Sequence, residues 1–122
     1  VRRGRGERGQ ATAELALVTP LAVLLLLCVV QVGLVARDQI LVTHAARAGA
    51  RAAAVDPRPA VAAAAARSSG DLASERMTVH TGQSRGDVTV MVTYHAPTSV
   101  PLIGAILGDV ELRASSTFRV ER

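Results

Sequence analysis

The chain has no lysine and no tryptophan, and Tyr94 and Phe118 are its only aromatic residues. A core must therefore be built from Val, Leu, Ile and Ala, whose burial stabilises modestly per side chain. Such a domain leans on a helix, a membrane or neighbouring subunits. All basic residues being Arg points to coding bias rather than to a binding surface. One cysteine, Cys28, rules out an internal disulfide and leaves a thiolate metal cluster without ligands. The histidines, His44, His80 and His95, lack the spacing of metal ligands and are expected on helix and strand surfaces. Ser68, Ser69, Ser115 and Ser116 belong to no nucleophile motif, and no Cys/His arrangement is available. Asp87, Asp109 and Glu111 flank expected strands, where acidic residues are solvated. No enzymatic activity, catalytic residue, metal or cofactor is expected.

Net charge is also scarce outside one end. Of the formal charge of +4, residues 1–9 hold +3, from Arg2, Arg3, Arg5 and Arg8 against Glu7. No nucleic-acid partner is expected from so local an excess. Gly4-Arg5-Gly6-Glu7-Arg8-Gly9 spells G-x-G-x-x-G, but no strand precedes it and no βαβ helix follows, so a dinucleotide site is excluded.

What the chain does have is an uncharged apolar run from Leu15 to Ala36, 22 residues with fourteen Leu or Val. As a helix it extends about 33 Å, the thickness of a bilayer's hydrocarbon core. Its Leu and Val residues favour insertion by roughly 6 kcal/mol in sum, against at most about 3 kcal/mol for an acidic residue at the centre. Glu14 stands only at the edge, so insertion wins. The arginines ahead of the run argue for a cytoplasmic N-terminus and an extracytoplasmic C-terminal part; Arg37, Arg47 and Arg51 beyond it weaken that bias. A cleaved secretory signal, cut near Ala45 to Ala48, is the rival, but its apolar region is shorter, typically about 7–15 residues. Pro20 removes the amide that would bond the Ala16 carbonyl, so a kink or local loosening is expected there.

Helical spacing continues through Ile40, Leu41, Ala45, Ala48, Ala52 and Val55, giving one helix from the apolar run to the break at Asp56-Pro57. Ala45 with Gly49, and Ala46 with Ala50, allow close approach of a helix or sheet, from this chain or another. Ala60 to Arg67 reads as a short second helix. The period then becomes two, predicting strands near 76–81, 87–95 and 110–121. The fold class is α+β: a long N-terminal transmembrane helix continuing into a small domain with a three-stranded antiparallel sheet. The organisation is a basic leader (1–9), a long helix (10–55) with its span at 15–36, and a small extracytoplasmic domain (56–122). Between the last two strands, Leu102, Ile103, Ile106 and Leu107 lie between Pro101 and Gly108 as a helical turn or two. They either cap the sheet core or meet lipid or another subunit.

Gly9, then Thr12-Ala13-Glu14-Leu15-Ala16-Leu17, Pro20 and a leucine-rich span resemble the TadE-like proteins, minor pilins of the tight-adherence (Flp-type) branch of type IV pili. Ala45-Ala46-Arg47-Ala48-Gly49-Ala50-Arg51, Val88-Thr89-Val90 and Ala114-Ser115-Ser116 extend the likeness along the chain. The resemblance implies a prepilin peptidase cut between Gly9 and Gln10, leaving Glu14 as the fifth residue, the place of the pilin assembly glutamate. It also implies that this carboxylate pairs with the new amine, on Gln10, of a neighbouring subunit. Implied partners are other pilin-like subunits, the prepilin peptidase, the pilus assembly platform and membrane lipid. Major Flp pilins have Glu-Tyr where this chain has Glu14-Leu15 and lack a sizeable outer domain, so the resemblance implies a minor component for adhesion or secretion. Two alternatives stay open: an unprocessed, single-pass anchored binding or adaptor domain, and a Glu14 that serves only the helix dipole.

Overall fold

The structure, a computed structural model, describes residues 4–120, with side chains from Gly6 onward. Arg2 and Arg3, the side chain of Arg5, and Glu121 at the end of the third alternating run lie outside the described residues. Helix α1 spans Gly4–Val55, taking in the described part of the leader and running through Pro20. At 52 residues it is about 78 Å long. It ends where it must: Pro57 disfavours helical backbone at Asp56, whose amide makes a last bond to the Ala52 carbonyl at 3.0 Å. The Asp56 carboxylate accepts bonds from the Arg58 side chain and from its amide, at 2.9 Å and 3.2 Å. The side-chain bond first, then the backbone one, holds that carboxyl below the ordinary Asp range. Helix α2 (Pro59–Ser68) then starts on a proline, preset for a first helical turn, and continues on alanine.

Strands β1 (Met77–Ser84), β2 (Asp87–Ala96) and β3 (Val110–Arg119) form one antiparallel sheet in the order β1-β2-β3. The α+β fold with a three-stranded antiparallel sheet is therefore as expected. Met77 pairs with Tyr94 and Asp87 with Arg119, and Val92 stands between Val79 and Ala114. Strand β1 runs three residues beyond its apolar alternation, because Gly82, Gln83 and Ser84 go on pairing up to a two-residue turn. Arg85 and Gly86 fill that turn with φ of 51° and 90°, the left-handed pair whose twist suits a tight hairpin.

The alternating residues Val88, Val90, Val92, Tyr94 and Ala96 of β2 are buried and face the helices. Against them α1 sets Val42, Ala45, Ala46, Ala50 and Ala53, and α2 sets Ala62 and Ala66. This is not the face that the largest side chains suggest. Ile40 and Val55 are exposed, and the small-residue stripe is what is buried. With almost no aromatics to fill a gap, the layers must come close, and only small side chains permit that.

A short helix α3 (Ile103–Leu107) sits between β2 and β3. Val100 and Ile103 turn inward, whereas Leu102, Ile106 and Leu107 remain exposed. The helical turn expected from the sequence is present, but its buried side chains, Val100 and Ile103, stand apart from the core that β2 forms with the helices, so it does not cap that core.

Candidate functional site on the long helix

The segment from Gly9 to Glu14 lies wholly within α1, and its side chains are exposed. A Cβ added at Gly9 would meet nothing within 4 Å, so no packing in this chain demands glycine there. Gln10 and Glu14, one helical turn apart, face each other, and the Gln10 amide donates to a Glu14 carboxylate oxygen at 3.4 Å. Thr12 donates its hydroxyl to the Arg8 carbonyl at 2.8 Å, and Thr19 to that of Leu15 at 2.7 Å. Both hydroxyls thereby satisfy themselves within the helix instead of facing an apolar surrounding unpaired. Pro20 follows one residue later, inside the same continuous helix.

From Leu15 to Leu26 the helix touches little else: Leu17 is 79% exposed and Leu21 and Leu25 each 67%. Among the described residues α1 is the one helix long and apolar enough to cross a membrane. Leucines so exposed make sense only against a nonaqueous neighbour.

Among the described residues the first buried side chain of this helix is Gln31, within the uncharged run rather than after it, and Leu27 and Cys28 one turn earlier are half-buried. Gln31 is 5% exposed. It borders a groove of about 380 Å³ formed with Val32, Val35, Ala36 and Gln39 of α1, Leu107, and Val110 and Leu112 of β3. Two turns on, the Gln39 amide donates to the Arg113 carbonyl at 3.2 Å, tying helix to strand. The Oε1 atom of Gln31 has no such partner. A buried acceptor left unpaired costs about 1–3 kcal/mol. Gln31→Met, nearly isosteric and without that acceptor, is expected to stabilise the domain by about 1 kcal/mol. Hydrogen exchange of the β2 amides in detergent micelles checks this, through slower exchange in the variant. Sequence patterning passed over Gln31 because it carries no charge. The available signal was two glutamines, Gln31 and Gln39, on one helix face with Val35 between them.

The histidines are apart: His44 on α1 beside Arg47 and Arg51, His80 on β1, and His95 on β2, all exposed. Arg76 joins Asp109 at 3.4 Å, and Asp87 pairs loosely with Arg119 at 3.7 Å. Among the described residues no group of three or more His, Cys, Asp or Glu stands close enough to hold a metal ion. No curated protein and no solved structure matches the chain. A family model does, that of the TadE-like protein, and it covers residues 9–51. Its limits take in the Gly9–Glu14 segment, the exposed apolar helix and the small-residue stripe on which the sheet packs, and over that segment, about a third of the chain, the protein is similar to TadE-like proteins.

Proposed function

We propose that this protein is a membrane-anchored minor pilin or pseudopilin of a Tad (Flp-type) pilus, non-enzymatic, cut between Gly9 and Gln10 and assembled through Glu14. The observation that carries the proposal is the order along one exposed helix: a glycine that no contact in the chain requires, a lone carboxylate five residues on, then lipid-compatible side chains to Val30. Cleavage frees an α-amine on Gln10, at the end of the chain that bears Glu14. In lipid an isolated carboxylate is costly, and a cationic partner offsets much of that cost. Pairing Glu14 with the amine of a neighbouring subunit therefore favours assembly over free diffusion in the bilayer. A bend at Pro20 would let the helix adjust to such a neighbour.

The Gly9–Gln10 bond lies in helical backbone, so a peptidase must unwind it. Gly4, Gly6 and Gly9 make that easy, since each weakens a helix by about 1 kcal/mol relative to alanine. Orientation follows the leader, with the arginines cytoplasmic and the sheet domain outside. The subunit would act in adhesion or secretion, with other pilin-like subunits, the prepilin peptidase and the assembly platform as partners. Mass spectrometry of the protein from native membranes tests the processing step. A mature chain beginning at Gln10 is expected, and one retaining residues before Gly9 would leave the unprocessed anchored adaptor instead.

A further inference from the structure

We propose that the α3 segment, residues 101–107, is a second and shallow membrane contact, with Leu102, Ile106 and Leu107 entering the outer edge of the bilayer beside the Gln31–Ala36 turns of α1. The inference rests on the reading that α1 crosses a membrane, and it specifies how the sheet domain sits on that membrane.

Depth provides the first argument. The part of the uncharged run that is exposed throughout, Leu15 to Leu26, rises about 18 Å, whereas a hydrocarbon core is about 30 Å thick. The missing length lies on one side or the other. Sliding the helix toward its C-terminal end draws Glu14 deeper into lipid, at a cost that rises toward about 3 kcal/mol at the centre and that nothing offsets before a neighbouring subunit pairs with it. Sliding it the other way immerses residues 31–36, none of them charged. Those residues share a groove with Leu107, so whatever depth they take, α3 takes with them.

The build of the segment is the second argument. Leu102, Ile106 and Leu107 are 65%, 75% and 61% exposed, yet they are not on a loose loop. Val100 and Ile103 are buried beneath them. The Gly104 amide donates to the Val100 carbonyl at 3.1 Å, that of Gly108 donates to the Gly104 carbonyl at 3.2 Å, and Thr98 donates its hydroxyl to the Gly108 carbonyl. A Cβ at Gly104 would stand 2.7 Å from the Thr98 carbonyl oxygen, so the segment is folded back tightly on its own stem. Leu102 has a φ of 68°, a conformation that a bulky side chain adopts only when its surroundings impose it. Three large apolar side chains are thus held outward by a fixed backbone, on the side of the domain from which the bare apolar helix emerges. A lipid surface suits that arrangement, and its apolar surface is continuous with that of the span.

The experiment uses the whole chain in vesicles of phosphatidylcholine and phosphatidylglycerol. On a Cys28→Ala background, single cysteines are introduced by Ile106→Cys, by Leu25→Cys in the middle of the span, and by Ser115→Cys on the outer sheet face. Each is labelled with an environment-sensitive fluorophore and titrated with spin-labelled lipid. All these side chains except Cys28 are exposed, so folding is retained. The expected result is strong quenching at Leu25 by deep spin labels, strong quenching at Ile106 by shallow ones, and little at Ser115. Quenching at Leu25 with Ile106 behaving like Ser115 overturns the α3 contact and leaves the anchor intact. If Leu25 too is unquenched, the anchor itself fails and α3 insertion fails with it. An Ile106 label that is shielded from aqueous quencher, untouched by lipid quencher and exposed again on dilution into excess lipid identifies a second copy as the occupant, and the lipid contact is then wrong.

Discussion

Replacing Glu14 by glutamine is expected to leave the chain in the membrane and to remove it from any assembled pilus. Loss of the carboxylate makes insertion easier, by up to about 3 kcal/mol for a fully immersed acid, so a defect cannot be blamed on failed anchoring. Removing one member of a desolvated ion pair leaves the other charge unpaired and costs about 3–5 kcal/mol. That corresponds to a fall of roughly two to four powers of ten in subunit association. Glutamine is the informative replacement because it keeps the hydrogen bond that Gln10 makes with position 14. Normal incorporation of Glu14→Gln, measured by quantifying the subunit in sheared surface filaments and in membranes, would mean that the local bond suffices and that charge pairing plays no part. Glu14→Asp, which retains the charge on a shorter arm, is expected to recover part of the assembly.

The second large effect is expected at Gly49. A Cβ there would lie 3.0 Å from a Val90 methyl and 3.1 Å from the Ala62 carbonyl oxygen, at the point where α1, α2 and β2 meet. Gly49→Leu has no vacant space to enter and must push the sheet off the helix. Overpacking costs typically about 1–3 kcal/mol, and the effect should be at the upper end because backbone as well as side chain stands in the way. A domain whose core is chiefly alanine and valine has little stability in reserve. The expected outcome is rapid proteolysis of residues beyond Val55 in detergent-solubilised protein. The same change at Gly33, where nothing lies within 4 Å, should leave the domain as resistant as the native one. Equal protease resistance of both variants would show that α1 is not the surface on which the sheet depends.

These two residues illustrate what could be read from sequence. Glu14 was visible because a lone charge beside an uncharged run is conspicuous in one dimension, and its distance from Gly9 is a sequence distance. Gly49 was visible as part of a small-residue stripe, and a stripe states only that something comes close. Whether that something was another chain or this one's sheet depends on contacts between residues far apart in the chain. Ile40 and Val55 share that helical spacing and are nonetheless exposed, because a close-packed interface selects for small side chains rather than large ones. The alternation of β2 was explicit, since one face of that strand is buried and every second residue records it. The tail of β1 was not, because Gly82, Gln83 and Ser84 are held by backbone pairing, to which side chains contribute no pattern.

Gln31 and α3 mark the boundary most clearly. Sequence by itself determined an uncharged stretch long enough to cross a bilayer, a carboxylate at one end of it and three short alternating runs after it, since these are properties of neighbours along the chain. Tertiary structure alone decided that the sheet domain descends onto that stretch to bury Gln31, and that Leu107 stands beside Val32 and Val35. Those pairs are more than seventy residues apart in sequence. Their meeting is set by how closely alanine and glycine let a sheet approach a helix, a sum of many weak contacts that no local pattern carries.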